Sequence, residues 1–529
     1  MSDASPQKND RPVRRVLAGL VILLALISVY SVRTADPDLW GHLRYGRFFL
    51  EAGLPPVADP FSYTTTGGVA WLAHEYLSQV ILWVVYSAAG AAGLIALKCM
   101  VGLVVLALVY LAIRLGSDSA QIWAPVFILA ALLLGRFFLF RPQIFTYLGL
   151  SLFVYLLLRR LFDRPSPLWL LPLVMIPWAN FHGGFVAGIG VVGIVLGLRL
   201  LQSTRRYGPC TADVWRAVRP LVALLAGCVG ASLLTPFGWR VWPFLWIELG
   251  NNYNRRLNEE WQPIRLASPG LDGALTLLLV ALLVISCMAG MRRARDIAGL
   301  RPWHWLLSCV PLAAMAFVSR RHIPILVLWG APVLCILVQT AWDAWPSASM
   351  KRGAVLSLTG LILLPAFISG YVTLVDPLPR IRINAESLGV EQPFGAAAFL
   401  RANGLTGNLY LPMWWGSYLT WELYPGIRVS MDGRNDTAYP VALVGENLEF
   451  YAGLGDTEAP LRRPTDFWLI PTSAPALPAI RADSRWIAIY EDADTVLFLR
   501  NDPAHSDSIR RYRAGEFVVS EVQRPQFFW

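Results

Sequence analysis

Charged residues are scarce in this sequence of 529 residues, of which only 15% are Asp, Glu, Lys or Arg. Soluble globular proteins carry about 25%, so this chain cannot cover a large water-exposed surface. Apolar residues make up 56% of the chain and lie in blocks of roughly 17 to 22, long enough to cross a bilayer as helices. These features exclude a single soluble domain, a disordered chain and a coiled coil. They predict a polytopic α-helical membrane protein.

Cysteine is scarce as well, with six residues in the chain. All six lie in predicted spans or on the predicted cytoplasmic side, so we expect no disulfide framework in the exported parts. The short motifs of common soluble enzymes are missing: HExxH, GxxxxGKS/T, GxSxG and CxxC do not occur. The residues that carry chemistry must therefore be sought in the loops of a membrane protein.

Eleven hydrophobic segments are predicted to span the membrane. They cover approximately residues 15–32, 92–113, 119–135, 143–158, 167–179, 183–198, 220–235, 271–290, 303–318, 323–342 and 353–375. The first segment is long, lacks a small-residue cleavage site and leads into further spans. We therefore predict an anchor and not a cleaved signal peptide.

The basic residues indicate how these spans are oriented. Loops on the side of the N-terminus carry 19 basic and seven acidic residues, and such an excess marks the cytoplasmic side. The chain from residue 376 onward has 14 Arg and 19 acidic residues, and it is predicted to lie on the exported side. The net charge of +10 thus reports membrane orientation, and no nucleic-acid partner is predicted.

The sequence is predicted to contain three parts: a cytoplasmic tail at 1–14, a membrane module at 15–375 with a first exported loop at 33–91, and an exported domain at 376–529. About 150 residues is enough to bury a core. The exported domain has strand-length apolar segments and helical patterns in turn, which predicts a small α/β domain. The strands are expected at 408–411, 427–431, 467–470, 486–490 and 495–499, and the helices at 393–403 and 437–453.

The first exported loop is too long for a plain connection. Its segments RTADPDLWGHLRYGRFFLEAG and WLAHEYLSQVILWVVYSAAG are predicted to form two amphipathic surface helices, with DPFSYTTTGG between them. The first segment carries Asp36, Asp38 and His42. Asp38 and His42 are four residues apart and would share a helix face. The second segment carries His74 and Glu75.

Other predicted exported turns add further polar residues. Ionisable groups are costly inside a bilayer, so a collection of them at its boundary suggests a functional site. The residues are Arg136 and Arg141, Asn180 and His182 in WANFHGG, Glu259 and Glu260 in NEEWQP, and Arg320, Arg321 and His322 in SRRHIP. Together with the acidic first loop, they suggest group transfer from a phosphorylated lipid.

Specific roles follow from residue type. Asp36, Asp38, His42 and His74 can hold a divalent cation, for which carboxylate oxygens favour Mg²⁺ or Mn²⁺. No organic cofactor is predicted. Arginine suits phosphate binding, and the candidates are Arg136, Arg141, Arg320 and Arg321. Candidates for sugar or acceptor binding are His74, Glu75, Asn180, His182 and Glu260 and, in the C-terminal domain, Trp414, Trp415, Asp432 and Arg434.

Each of these residues also has a structural interpretation. Asp36 before Pro37 is typical of the start of a surface helix. Single histidines are often interfacial hydrogen-bonding groups, and arginines near span ends can be anchors. The DGRND segment and the neighbouring tryptophans can be a turn and a set of core aromatics.

At the level of motifs, the sequence resembles the GT-C glycosyltransferase superfamily. DPDLWGHLRYG, GLPPVADPFSYTTTGG and WLAHEYL are similar to segments of a group of bacterial membrane proteins in that superfamily. The similarity continues in WANFHGGF, NEEWQP, SRRHIP and WWGSYLTWELYPGIRVSMDGRND, and so covers most of the chain.

The resemblance implies an enzyme of the bacterial inner membrane that moves a sugar from a polyprenyl-phosphate carrier to an envelope glycan, lipid or protein outside the cytoplasm. Asp36 or Asp38 would be the base or a metal ligand. The leaving phosphate would be stabilised by the metal or by Arg320 and Arg321, and the carrier's lipid tail would lie among membrane lipids and spans. A transporter or flippase of lipid-linked sugars and a non-catalytic scaffold for envelope assembly are the alternatives.

Overall fold

The structure is a computed structural model. It describes residues 19, 34–35, 37–53, 55, 58–65, 71–250, 259–291, 296–344, 381–383, 392–454, 458, 462–519 and 527–528.

Most of the described chain is helical, and seven helices are long and apolar enough to cross a membrane. They are Tyr76–Ile113, Ala120–Phe137, Gln143–Leu161, Phe185–Tyr207, Ala212–Ser232, Gly270–Met291 and Arg320–Ala344. Leu170–Phe181 and Pro302–Val318 are shorter apolar helices. These nine coincide with predicted spans, whereas the predicted spans 15–32 (apart from Gly19) and 353–375 lie outside the described residues. The chain is a multi-pass membrane protein.

The chain divides into two compact units. The membrane unit takes its described residues mainly from Ile95–Arg240 and Gly250–Leu378. The α/β unit takes them from Thr34–Leu94, Val241–Leu249 and Pro379–Trp529. Most of the first exported loop therefore belongs to the same unit as the C-terminal region.

In the membrane unit, small residues allow neighbouring helices to approach closely. Gly149 and Gly188 lie against opposite parts of the Trp178 ring, and a Cβ on either would come within 2.6 Å of it. The Trp178 Nε1–H donates to Thr146 Oγ1 at 3.0 Å, so the one polar atom of this buried ring is satisfied. Close packing and interhelical hydrogen bonds of this kind stabilise helices in lipid, where apolar burial adds little.

The α/β unit contains a five-stranded sheet. Its strands are β3 at Gly407–Tyr410, β4 at Ile427–Val429, β5 at Phe467–Pro471, β6 at Trp486–Glu491 and β7 at Thr495–Arg500. They lie in the order β4-β3-β5-β7-β6. Strands β3, β4 and β5 are parallel, and β5, β7 and β6 are antiparallel. All five predicted strands of the small α/β domain are present.

Helices cover this sheet and connect its strands. They are Phe394–Ala402, Met413–Leu423, Val441–Tyr451, Leu477–Arg481 and Ser506–Arg513. The Met413–Leu423 helix, which contains Trp414 and Trp415, was not among the predicted helices. Aromatic packing forms the core on one side, where the Phe450 and Trp468 rings stack with centroids 5.1 Å apart.

The loop at 33–91, predicted to be the first exported loop, pairs directly with this sheet. Val429 of β4 donates its N–H to Phe61 O at 3.1 Å, and Tyr63 donates to Val429 O at 3.2 Å. The loop therefore covers the edge of β4. A second, three-stranded sheet has the order β1-β2-β8, with β1 at Thr34–Ala35, β2 at Ile381–Ile383 and β8 at Phe527–Phe528.

Two helices frame the loop, as predicted, but the second begins later than the sequence pattern suggested. Helix Asp38–Ala52 ends at Gly53, whose φ of 86° is unfavourable for other residues. Helix Tyr76–Ile113 is interrupted at Ala89 and Gly90, where the backbone angles are not helical. Because it begins at Tyr76, residues 71–75 precede it as a non-helical segment, which corrects the predicted helix start.

Candidate functional site

Asp38 is the first residue of helix Asp38–Ala52 and is half-buried. A carboxylate in the first turn is stabilised by the partial positive charge of the helix N-terminus. The Asp38 carboxylate lies against the backbone of Gly433, where a Cβ would be 3.0 Å from Asp38 Cγ. The structure thus brings the predicted catalytic aspartate to the DGRND segment. Asp36, the other candidate base, lies outside the described residues.

The three described members of the predicted metal set do not form a metal site. Among the residues that the structure describes, no three His, Cys, Asp or Glu side chains lie close enough together to share an ion. His42 lies one turn after Asp38, with its Nδ1 3.1 Å from Gln79 Nε2. His74 lies in the turn before helix Tyr76–Ile113, and its ring packs against Phe244 with centroids 5.2 Å apart. The described members of the predicted metal set therefore do not converge on one point.

Arg434 occupies a closed ionic cluster in the α/β unit. Its guanidinium donates to both carboxylate oxygens of Asp59, at 2.7 and 3.0 Å, and to both of Asp432, at 2.8 Å each. It also donates to Ser62 Oγ at 3.0 Å and to the Tyr439 hydroxyl at 2.9 Å. The Arg434 and Asp432 side chains are at least 96% buried.

Aromatic rings complete the enclosure of this cluster. The Arg434 guanidinium lies over the rings of Trp71 at 4.6 Å, Tyr45 at 4.9 Å, Phe61 at 5.3 Å and Tyr439 at 5.5 Å. Cation–π attraction strengthens when the charge is removed from water in this way. Five of the groups around Arg434 come from the predicted first exported loop: Tyr45, Asp59, Phe61, Ser62 and Trp71.

Arg434 and the two phenols beside it keep their protonation states over the physiological pH range. Burial alone would lower the pKa of Arg434, but the Asp432 and Asp59 carboxylates outweigh it and raise that pKa well above its ordinary value. Burial, reinforced by the Asp432 charge, raises the pKa of Tyr45 well above its ordinary value. Burial raises the pKa of Tyr439 likewise, although the Arg434 charge opposes the shift. Arg434 therefore stays charged and both phenols stay neutral.

These contacts change the interpretation of four residues predicted to bind sugar or acceptor. Arg434 and Asp432 are turned toward protein partners on every side, which is the arrangement of a structural ion pair. Trp415 is fully buried, so no ring face is available for stacking on a sugar. Trp414 is half-buried and packs against Tyr451 at 6.3 Å between centroids. Of the four, Trp414 alone has exposed surface with which to meet a ligand.

In the membrane unit, the two arginines of SRRHIP have different surroundings. Arg320 Nε and Nη2 donate to the two oxygens of Asp272 at 2.8 and 2.9 Å, a bidentate pair with a buried carboxylate. Arg321 instead lies over the Trp261 ring at 4.7 Å, with its Nη2 3.4 Å from His182 Nε2. In the described part of the chain, no carboxylate forms an ion pair with Arg321.

The protonation of His182 follows from its other ring nitrogen. Nδ1 accepts the Gly184 backbone N–H at 2.9 Å and lies 2.9 Å from Thr146 Oγ1. Thr146 Oγ1 already accepts from Trp178 Nε1, so its own hydroxyl proton is available to His182. With Nδ1 as the acceptor, the imidazole carries its proton on Nε2. Nε2 is on the side of the ring that faces Arg321, whose Nη2 is 3.4 Å away.

Backbone hydrogen bonds hold the NEEWQP and SRRHIP segments together around this pair. Arg320 donates its N–H to Gln262 O at 3.1 Å, and Ile264 donates to Phe317 O at 3.2 Å. Beside them, Arg141 Nη1 forms an ion pair with Glu260 Oε2 at 2.9 Å. The structure thus groups four of the predicted site residues in the membrane unit: Arg141, His182, Glu260 and Arg321.

Arg136 and Asn180 have other environments. Arg136 is exposed in the last turn of helix Ala120–Phe137. Asn180 is buried, and its Nδ2 donates to Ile176 O at 2.8 Å and to Leu234 O at 3.0 Å. These bonds to backbone carbonyls tie helix Leu170–Phe181 to the end of helix Ala212–Ser232, which is a structural role.

The sequence analysis did not select Asp59, Asp272 or Lys98. Asp59 lies in the quoted DPFSYT segment, but nothing in that text indicates its partner Arg434. Asp272 is in the first turn of an apolar helix, where an acidic residue is an ordinary feature. Lys98 lies within the predicted span 92–113, where a charge is costly, and it is buried with its Nζ 4.7 Å from the Phe140 ring centroid.

No protein-family model matches this sequence, and no curated protein matches it either. Among solved structures, the fold is similar to that of the Archaeoglobus fulgidus oligosaccharyltransferase tethered with an acceptor peptide containing the NVT sequon. The TM-score is 0.59 at 13% identity, over 88% of this chain and 69% of that one. The expected GT-C-like membrane fold with a small C-terminal α/β domain is confirmed. At this identity the likeness shows the fold alone.

Two structures of ArnT from Cupriavidus metallidurans also match at lower scores. The complex with undecaprenyl phosphate has a TM-score of 0.48 at 13% identity, over 93% of this chain and 98% of that one. The apo structure has a TM-score of 0.49 at 14% identity, over 91% and 97%. Both scores are too low to carry an argument.

Proposed function

We propose that this chain is an integral-membrane glycosyltransferase. It transfers a sugar from a polyprenyl-phosphate donor to an acceptor of the cell envelope on the non-cytoplasmic face of a bacterial inner membrane. Three observations support the proposal: the multi-pass helices, a fold similar to that of an oligosaccharyltransferase, and an arginine beside His182 in the membrane unit that has no carboxylate ion pair among the described residues.

Arg321 is the observation that carries the proposal. In the described part of the chain no carboxylate forms an ion pair with its guanidinium, so its charge is available to an oxyanion such as a phosphate. The Arg321 guanidinium offers the fork geometry that matches phosphate oxygens, and its stacking on Trp261 fixes the plane of that fork. We assign the donor phosphate to Arg321 and His182.

This assignment narrows the predicted phosphate site. Arg320 is neutralised by Asp272, so its role is to hold the SRRHIP turn. Arg141 lies in the same group of residues as Arg321 and His182, but its charge is partly neutralised by the ion pair with Glu260. The cationic charge that remains for the phosphate is mainly that of Arg321.

The reaction breaks the bond between the sugar C1 and the phosphate oxygen and forms a bond between C1 and the acceptor oxygen. The transition state is oxocarbenium-like, as in other glycosidic chemistry, and negative charge develops on the leaving phosphate. Donors already aimed at that charge lower the barrier, since they need no reorganisation as it forms. The polyprenyl phosphate leaves with the bonding electron pair, stabilised by Arg321 and His182.

The acceptor must lose a proton as it attacks. We propose that Asp38 takes that proton, with Asp36 as the alternative base. Asp38 is held at a helix N-terminus against Gly433, so its carboxylate has a fixed direction. Glu75, His74, Glu260 and Trp414 remain candidates for contacts with the acceptor or the transferred sugar. A magnesium or manganese ion on Asp36, Asp38, His42 and His74 remains a prediction from the sequence.

A transfer assay tests the proposal. Purified protein in liposomes is given a radiolabelled polyprenyl-phosphate sugar and a membrane extract as the source of acceptor. The wild type should label the acceptor, and Asp38→Asn should lower the rate of labelling roughly 10²–10⁴-fold, to a small residual rate, at unchanged yield and melting temperature. Asp213→Asn, which changes an exposed carboxylate paired with Arg216, is the matched control and should retain activity.

Two results would count against the proposal. Wild-type transfer by Asp38→Asn removes Asp38 from the chemistry. Movement of the labelled donor across the liposome bilayer without labelling of any acceptor favours a transporter.

A further inference from the structure

Gly433 lies where the Asp38 carboxylate needs space. A Cβ at position 433 would overlap Asp38 Oδ1, and it would stand 3.0 Å from Asp38 Cγ and 2.9 Å from Ser417 Oγ. Real Cβ atoms essentially never approach other atoms so closely, so either the carboxylate or the loop has to move if a side chain is added. Residue 433 thus helps to define where the Asp38 carboxylate lies.

The loop that carries Gly433 is fixed from more than one side. Gly433 donates its N–H to Ser417 Oγ at 3.2 Å, on helix Met413–Leu423. The next residue, Arg434, is locked between Asp59 and Asp432 in the buried ionic cluster. Because a rigid loop faces a side chain with rotatable bonds, an added methyl group displaces the Asp38 carboxylate and not the loop.

A second glycine, Gly416 on helix Met413–Leu423, packs against the loop that carries Gly433. Gly416 lies against the backbone of residues 431 and 432, where a Cβ would come within 2.5 Å of Asp432 Cα. Helix Met413–Leu423 can therefore approach the loop closely enough for Ser417 to reach the Gly433 N–H. The WWGS and DGR motifs are parts of one support.

From this geometry we infer that Gly433 is a positioning residue, and that the Gly433–Ser417 support sets the direction of the Asp38 carboxylate for proton abstraction. The inference rests on the proposed role of Asp38. It assigns a catalytic consequence to the DGRND and WWGS segments, in which Asp432, Arg434 and Trp415 are themselves buried against protein. A displacement of about 1 Å at a reacting group can cost on the order of 10²-fold in rate.

The test is the variant Gly433→Ala, with Gly426→Ala as the matched control. Gly426 is exposed, and a Cβ there would be no closer than 3.4 Å to neighbouring atoms. The Gly426→Ala variant should therefore transfer sugar at the wild-type rate. Gly433→Ala should lower kcat about 10²-fold at unchanged KM for the polyprenyl-phosphate sugar and at unchanged melting temperature. In an Asp38→Asn background it should cause no further loss, since the carboxylate that it displaces is gone.

Ser417→Ala is a second variant, which introduces no new steric overlap. It tests the inference if the Gly433→Ala protein does not accumulate. It removes the hydrogen bond to the Gly433 N–H, and it should lower kcat several-fold in the wild type and not at all in Asp38→Asn. A wild-type kcat in Gly433→Ala overturns the inference. If that variant does not accumulate, a wild-type kcat in Ser417→Ala overturns it instead. The inference also fails if the support variant lowers kcat as much in the Asp38→Asn background as in the wild type. If Asp38→Asn keeps only a small residual rate while either support variant has wild-type kcat, only the inference fails. If Asp38→Asn itself is fully active, the proposed role of Asp38 fails as well.

Discussion

Arg434 in the α/β unit and Arg321 in the membrane unit both stack on a tryptophan ring, but they differ in the number of carboxylates that pair with them. Each guanidinium lies over a tryptophan ring, at 4.6 Å from Trp71 and 4.7 Å from Trp261 respectively. Arg434 has two carboxylates as partners, both buried. In the described part of the chain, Arg321 has none, and it faces the Nε2–H of a histidine. The number of carboxylates, and not the stacking, separates a structural arginine from one that can bind an anion.

The largest effect is expected at Arg434. Arg434→Met leaves Asp59 and Asp432 buried without a counter-charge, which should destabilise the α/β unit by about 3–5 kcal/mol. Chemical unfolding in detergent, followed by tryptophan fluorescence, measures this loss. Arg463→Met is the control, because its pair with Glu446 is partly exposed and should contribute about 0–1 kcal/mol. Equal losses in the two variants would contradict a structural role that is specific to Arg434.

Arg321→Met should show the opposite pattern, with a loss of activity and little change in stability. Removal of one preorganised donor to a developing oxyanion lowers kcat by roughly 10²–10³-fold. Kinetics of sugar transfer and a melting curve on the same preparation separate the two effects. Arg265→Met, an exposed arginine on the neighbouring segment, is the control and should transfer at the wild-type rate. A melting temperature as low as that of Arg434→Met would show that Arg321 is structural as well.

An intermediate effect is expected at the pair that neutralises Arg320. Asp272→Asn removes a buried carboxylate charge and weakens a bidentate contact, at a cost of about 1–3 kcal/mol in the free energy of unfolding. The double variant Asp272→Asn/Arg320→Gln should recover part of that loss, because neither group is then left as an unpaired charge. Additive losses in the double variant would show that the two side chains do not act as a pair.

The smallest effect is expected at Arg136. It is exposed at the end of its helix, and Arg136→Ala should leave both the melting temperature and the transfer rate unchanged. Transfer kinetics alongside Arg321→Met provide the comparison. A fall in kcat as large as that of Arg321→Met would restore Arg136 to the phosphate site that the sequence predicted.

The sequence was a good guide wherever a property depends on neighbouring residues in the chain. Nine predicted spans and five predicted strands correspond to described elements, since apolar run length and alternation are local patterns. It was a poorer guide to helix Met413–Leu423 and to the start of helix Tyr76–Ile113. In both places aromatic and apolar residues occur without a clear period, so tertiary packing decided where the helix lies.

The candidate site divides in the same way. That Asp38, His182 and Arg321 are unusual residues for a membrane protein could be predicted, because ionisable groups near spans are few and costly. That Arg320 is neutralised and Arg321 is not could not be predicted, since the two are adjacent and alike in sequence. The difference depends on Asp272, which is distant in the chain and whose direction is fixed only by helix packing.

The sequence by itself determined that this chain is a multi-pass membrane protein with a small α/β domain. The length and spacing of apolar runs are properties of neighbouring residues, so they can be read directly from the sequence. Only the tertiary structure decided that the first exported loop joins that domain, and that Arg434 closes the ionic cluster with Asp59. A buried charge requires a partner, but the identity of that partner follows from which segments fold together. For the same reason the glycine against which Asp38 lies could be found only in the folded chain.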